Sequence, residues 1–218
     1  MREAFQQELN EVRERLVDIS ELVSRIIEDA SDAFISADKL GAERAIATTT
    51  LVEERVLQLD ELVVWTMARQ APVAQDLRTL VSALRISSSF DRMAALAGHI
   101  AQIAQFRFPE SAVPPSVMDT FKEMAKLDIQ LSHKLTTLLK TLDVNFAHEI
   151  QAEDERVDEL HRSVFAAVLA PEWKGHNTHT VDVTLASRYF ERFADHVVSI
   201  SSKISYLTTG DWNEYRQG

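Results

Sequence analysis

Four carboxylates in the second half of the chain are spaced for joint chemistry. Asp154 and Asp158 stand four residues apart, and so do Glu191 and Asp195. Residues at i and i+4 share one face of a helix, so each pair aims two carboxylates in one direction. Like charges at that spacing destabilise a helix by about 0.2–0.5 kcal/mol. A bound cation would offset that repulsion; a solvated acidic face is the competing reading. The count favours the latter, because 34 acids in 218 residues produce about five such pairs by chance. Oxygen-only ligands suit magnesium, manganese or iron and disfavour a structural zinc site. His161, three residues after Asp158, shares its face, either as a further ligand or as a partly exposed residue beside the apolar stripe. His196 follows Asp195 and points elsewhere, while His99, His133, His148, His176 and His179 form no spaced cluster.

Other chemistries lack their parts. The chain has no cysteine, so disulfides, thiolate catalysis and iron–sulfur clusters are excluded. Its five glycines never lie close together, which removes a glycine-rich phosphate loop and a serine-nucleophile elbow. An oxidative di-iron bundle needs two Glu-x-x-His pairs, and Asp158-x-x-His161 occurs once. The net charge of −11 repels nucleic acid and anionic membrane surfaces alike. The N-terminal stretch has no apolar core for a signal peptide, and no run of about 18 apolar residues follows. A soluble, cytoplasmic protein is expected.

The elements that position the acids are helical. Five glycines and five prolines compare with about 15 and about 11 at average usage, too few to punctuate a β-rich protein. Phe5, Leu9, Val12, Leu16, Ile19, Val23, Ile26, Ala30 and Ala33 recur at spacings of four and three, a helical stripe over residues 1–40 that Gly41 interrupts. A second stripe runs from Ala45 to Val63 and ends at Pro72, which suits the first turn of a third helix reaching about Gln105. The pattern restarts from Val117 to Leu142, where Asp128 is the only misfit. A fifth helix spans about 149–169 and a sixth carries Val183 to Leu207. On the sixth, Glu191 and Asp195 point away from the apolar stripe; Asp154 and Asp158 flank the stripe of the fifth. The four are therefore expected in an outer groove outside the core.

Two segments repeat. Phe90-Asp91-Arg92-Met93-Ala94-Ala95 matches Phe190-Glu191-Arg192-Phe193-Ala194-Asp195 at an offset of 100, and Glu54-Arg55-Val56 matches Glu155-Arg156-Val157 at 101. A shared offset implies internal duplication. The expected fold is all-α: two tandem three-helix bundles over 1–108 and 117–210, joined by a proline-containing linker 109–116 and followed by a tail 211–218.

Four strings carry a resemblance: RQAPVAQDLR (Arg69 to Arg78), ALRISSSFDRM (Ala83 to Met93), AEDERVDEL (Ala152 to Leu160) and YFERFADH (Tyr189 to His196). They resemble the PhoU family of phosphate-uptake regulators, duplicated three-helix bundles with an acidic-x-x-x-acidic motif on two helices of each repeat. The resemblance implies a divalent or trivalent metal ion or cluster (iron, magnesium or manganese) on Asp154, Asp158, Glu191 and Asp195. The first half departs from the motif: Glu53 and Asp91 keep one acid each, Leu57 and Ala95 replace the others, and Asp60 is the nearest substitute. It further implies a regulator and no enzyme. Its partners would be a phosphate ABC transporter ATPase subunit and a sensor histidine kinase at the inner membrane face. Repression of phosphate-starvation genes and a homodimeric state complete the expectation. A metal-dependent phosphohydrolase or oxidase, and a metal-free helical adaptor, are the alternatives.

Overall fold

The computed structural model describes residues 2–209. Six helices follow in order: α1 (Arg2–Ser36), α2 (Lys39–Gln70), α3 (Ala74–Arg107), α4 (Met118–Thr141), α5 (Asn145–Leu169) and α6 (Asn177–Thr209). A 3-10 turn at Pro115–Val117 leads into α4, and no strand occurs among the described residues. None of the helices is long and apolar enough to cross a membrane.

Helix ends differ from the sequence reading in instructive ways. Gly41 does not interrupt α1; it lies buried inside α2. The break falls at Ala37, in the left-handed region with φ 55°, and Asp38 then caps α2 by accepting a hydrogen bond from the Leu40 amide at 3.0 Å. A side chain at Gly41 would meet Asp38 Oδ2 at 2.7 Å, so the residue is there for close approach to the cap. Pro72 precedes α3 by two residues rather than sitting in its first turn. Helix α5 starts four residues earlier than expected, and α2 exceeds it by 32 residues to 25, about two turns. Asp143 accepts from the Asn145 amide two residues on, at 3.1 Å, as Asp38 does from Leu40, although α5 has Val144 rather than the Asp at its cap position. Residues 211–218 lie outside the described part.

The two halves share one continuous core. Helix α1 packs on α4 and α3 on α6. Both pairs run antiparallel. Arg13 donates to the Leu139 and Lys140 carbonyls, Ser20 meets Thr136 at 2.7 Å, and His133 meets Glu28 at 2.7 Å. On the other pair, Arg107 reaches Asp182 and His99 approaches Tyr189. Antiparallel pairing of equivalent helices is what a two-fold relation between halves requires. Phe34 of the first half enters the second, with its ring 5.3 Å from Phe121 and 6.2 Å from Phe190.

Candidate functional site

The acidic pairs occupy the seam where α5 and α6 pack together. Val157 and Leu160 on α5, with Phe190, Phe193 and Ala194 on α6, face the core and fix the rotation of both helices. That rotation brings the flanking acids together. Burial pushes the Asp154 carboxyl up to about 7, helped by the charges of Asp195, Asp158 and Glu191. Burial and the Asp195 charge also raise Glu191, against the pull of Arg188. Asp154 thus lies in the field of the other three acids of the sequence reading.

The groove is deeper than the helical wheel implies. Glu191 is only 12% exposed at its side chain, and Asp154 and Asp158 are half-buried; Asp195 alone is exposed. Beneath them lies Asp128, the misfit of the α4 stripe. It is completely buried, both of its oxygens lack a hydrogen-bond partner, and burial followed by the charges of Asp154 and Glu191 raises its carboxyl well above the usual range. The signal that could have found it was its position: an acid where the heptad demands an apolar residue.

Arg188 is the other contributor the spacing argument missed. Its guanidinium donates to Glu191 Oε1 at 2.5 Å, one turn earlier on α6. His161 Nδ1 is engaged with Ser187 Oγ at 3.1 Å, its ring edge-on to Phe165, and burial with the nearby Arg188 lowers its pKa. The first half has a counterpart in Asp60, which accepts from Ser87 Oγ at 2.7 Å. Glu53 is exposed beside Leu57, itself 65% exposed, and Asp91 is half-buried one turn before Ala95. Among the described residues, no shifted acid marks an equivalent cluster there.

Among the described residues, no three acidic or histidine side chains close tightly enough to enclose one ion as they stand. One oxygen of Glu191 is already taken by Arg188. Against that, Asp128 Oδ1 and Oδ2 and Glu191 Oε2 are buried without partners. Unpaired buried oxygens are costly, and a hard cation with oxygen ligands is a partner that satisfies several at once. The donor set fits such an ion.

This architecture has counterparts among known proteins. The family model for the PhoU domain matches the chain twice, over residues 16–104 and 121–204, one match per half. The phosphate-specific transport system accessory protein PhoU homolog 2 of Mycobacterium tuberculosis is 37% identical over 210 residues, covering 96% of this chain and 99% of that protein. PhoU homolog 1 of Mycobacterium leprae is 36% identical, covering 98% and 96%. The crystal structure of PhoU from Pseudomonas aeruginosa superimposes with a TM-score of 0.89 at 22% identity, over 95% of this chain and all of that one.

Proposed function

The chain belongs to the PhoU family, and from that premise we propose that it is a metal-binding regulator of phosphate uptake. Like its relatives it is a regulatory accessory protein rather than an enzyme. In this reading Asp154, Asp158, Glu191 and Asp195 hold a divalent or trivalent cation, or a small cluster of iron, manganese or magnesium, across the α5–α6 seam. The observation that carries it is that the charges of the other three acids act on half-buried Asp154, and those of Asp195 and Asp158 on Glu191, in the half that retains all four motif positions. Bound cation neutralises the seam and clamps α5 to α6, supplying a fixed surface. No step of catalysis is assigned to it.

The regulatory part rests on the relatives, which are named for a phosphate-specific transport system. We assign this chain a matching role, in which it contacts the ATPase subunit of a phosphate ABC transporter and a sensor histidine kinase at the inner membrane face. There it keeps phosphate-starvation genes silent when phosphate is plentiful. A cytoplasmic, homodimeric protein that docks peripherally fits that role. The test is a deletion strain carrying a phosphate-starvation reporter. Expression at high phosphate that returns to silence on complementation supports the assignment; silence in the deletion strain refutes it.

One observation favours a metal-free adaptor instead. Arg188 already neutralises part of the Glu191 charge, which a cation would otherwise do. Elemental analysis of protein purified without chelators separates the two: about one or more metal equivalents per chain supports the metal site, and none supports the adaptor.

A further inference from the structure

Asp128 stands where the core of the second half should be apolar. On α4 it follows Met124 by four residues and precedes Leu131 by three, and both neighbours are completely buried, as it is. The stripe that buries them buries a carboxylate with them. Neither of its oxygens has a hydrogen-bond partner among the described residues, and no ion pair involves it. Protonation alone does not resolve this. A neutral carboxyl still carries an O–H that needs an acceptor and a carbonyl that needs a donor.

Helix α4 packs against both α5 and α6, and the charges that act on buried Asp128 are those of Asp154 on α5 and Glu191 on α6, which puts it on the core side of the acidic seam. Glu191 Oε2 is likewise buried and unpartnered. Carboxylates from three helices thus act on one another through the inside of the second half, without closing around one point as they stand. Among the described residues, the first half has no such buried acid. With Asp38 and Asp143, each accepting from the amide two residues on, taken as equivalent, Asp128 falls opposite Val23, an ordinary buried apolar residue. The buried acid thus occurs only in the half that keeps its four motif acids.

We propose that Asp128 is a fifth oxygen ligand, reaching from α4 on the core side a divalent cation held by Asp154 and Glu191. The inference rests on the metal reading above and extends it. A site on α5 and α6 alone is a surface clamp, whereas a ligand from α4 ties the cation to all three helices of the half. Asp128 then has a charged partner for its buried oxygens, and metal binding reports on packing of the whole bundle.

The test titrates Mn2+ into metal-free full-length protein by calorimetry, with thermal melts run alongside. The proteins are wild type, Asp128→Asn, Asp128→Leu and Asp195→Ala. Asn keeps the shape and one oxygen, so a merely structural role survives that change while a charged ligand does not. The expected result is about tenfold or greater loss of Mn2+ affinity in Asp128→Asn. Asp128→Leu should melt higher than wild type without metal, because it removes an unpaired buried acid, and should lose the Mn2+-induced rise in melting temperature. If either folded Asp128 variant binds Mn2+ as wild type does while Asp195→Ala does not, Asp128 is no ligand and the inference falls, with the metal site intact. If wild type itself binds no Mn2+, iron or magnesium, both readings fall together.

Discussion

Replacing Phe34 by alanine tests whether the two halves are one folding unit. Phe34 lies in the last turns of α1, completely buried, with its ring against Phe121 of α4 and Phe190 of α6. Truncating a buried Phe to Ala costs about 3–5 kcal/mol through lost transfer energy and the cavity left behind. The two edge-on ring contacts place this site toward the upper part of that range, about 4 kcal/mol, because each such pair adds roughly 0.5–1.5 kcal/mol beyond area burial. In a chain of this size 1 kcal/mol shifts the melting temperature by about 2–4 °C, so a fall of roughly 8–16 °C is expected. Circular dichroism at 222 nm during urea and thermal unfolding should show a single transition moved as a whole. The mutation sits in the first half, yet the second half must move with it, since Phe190 directly precedes Glu191. Two separated transitions with only one displaced, or a loss below about 1 kcal/mol, would refute the single-core argument.

Three further outcomes follow from the site and its frame. Asp195→Ala, which copies what the chain carries at Ala95, should lower both metal content and melting temperature, and the temperature difference should vanish in excess chelator; full metal loading would sink the seam as the site. The metal-free protein should be more stable at pH 5 than at pH 8. Asp154, half-buried and under the charges of Asp195, Asp158, Glu191 and Glu155 with Asp128 on its core side, holds its proton up to about 7 in the fold. An unfolded Asp releases it near about 4. The folded chain therefore binds more protons between those values, and stability falls as pH rises through that window, by on the order of 1–2 kcal/mol after discounting for partial exposure. Urea midpoints in chelator measure this, and Asp154→Asn should flatten the slope. Finally, Asp182→Asn should cost about 2–3 kcal/mol by denaturant unfolding, because the nearly buried Asp182 takes a two-pronged contact from Arg107 that ties the end of α3 to α6.

Much of this architecture is legible in the chain because helical burial is periodic. Ile19, Val23, Ile26, Ala30 and Ala33 recur at fours and threes and are all buried, and the offset of 100 between Phe90 and Phe190 places both in the core. The helix ends were less legible. They fall at Ala37, Ala71 and Leu142, which adopt the left-handed region usually given to glycine, while Gly41 sits inside a helix. Local sequence carries no mark for a left-handed alanine, since neighbouring packing imposes it.

The acidic pairs follow from the sequence alone, since a spacing of four residues puts Asp154 with Asp158 and Glu191 with Asp195 on any helix. Whether the pairs meet is a property of the tertiary structure: it depends on how α5 and α6 are rotated about their axes, and their contacts with the rest of the core set that rotation. Asp128 shows the limit most plainly. Along the chain it is one acid breaking an apolar stripe, 26 residues from Asp154 and 63 from Glu191. Only the packing of α4 against α5 and α6 brings it beneath both, because charge acts through space and helical periodicity records only the face a residue occupies.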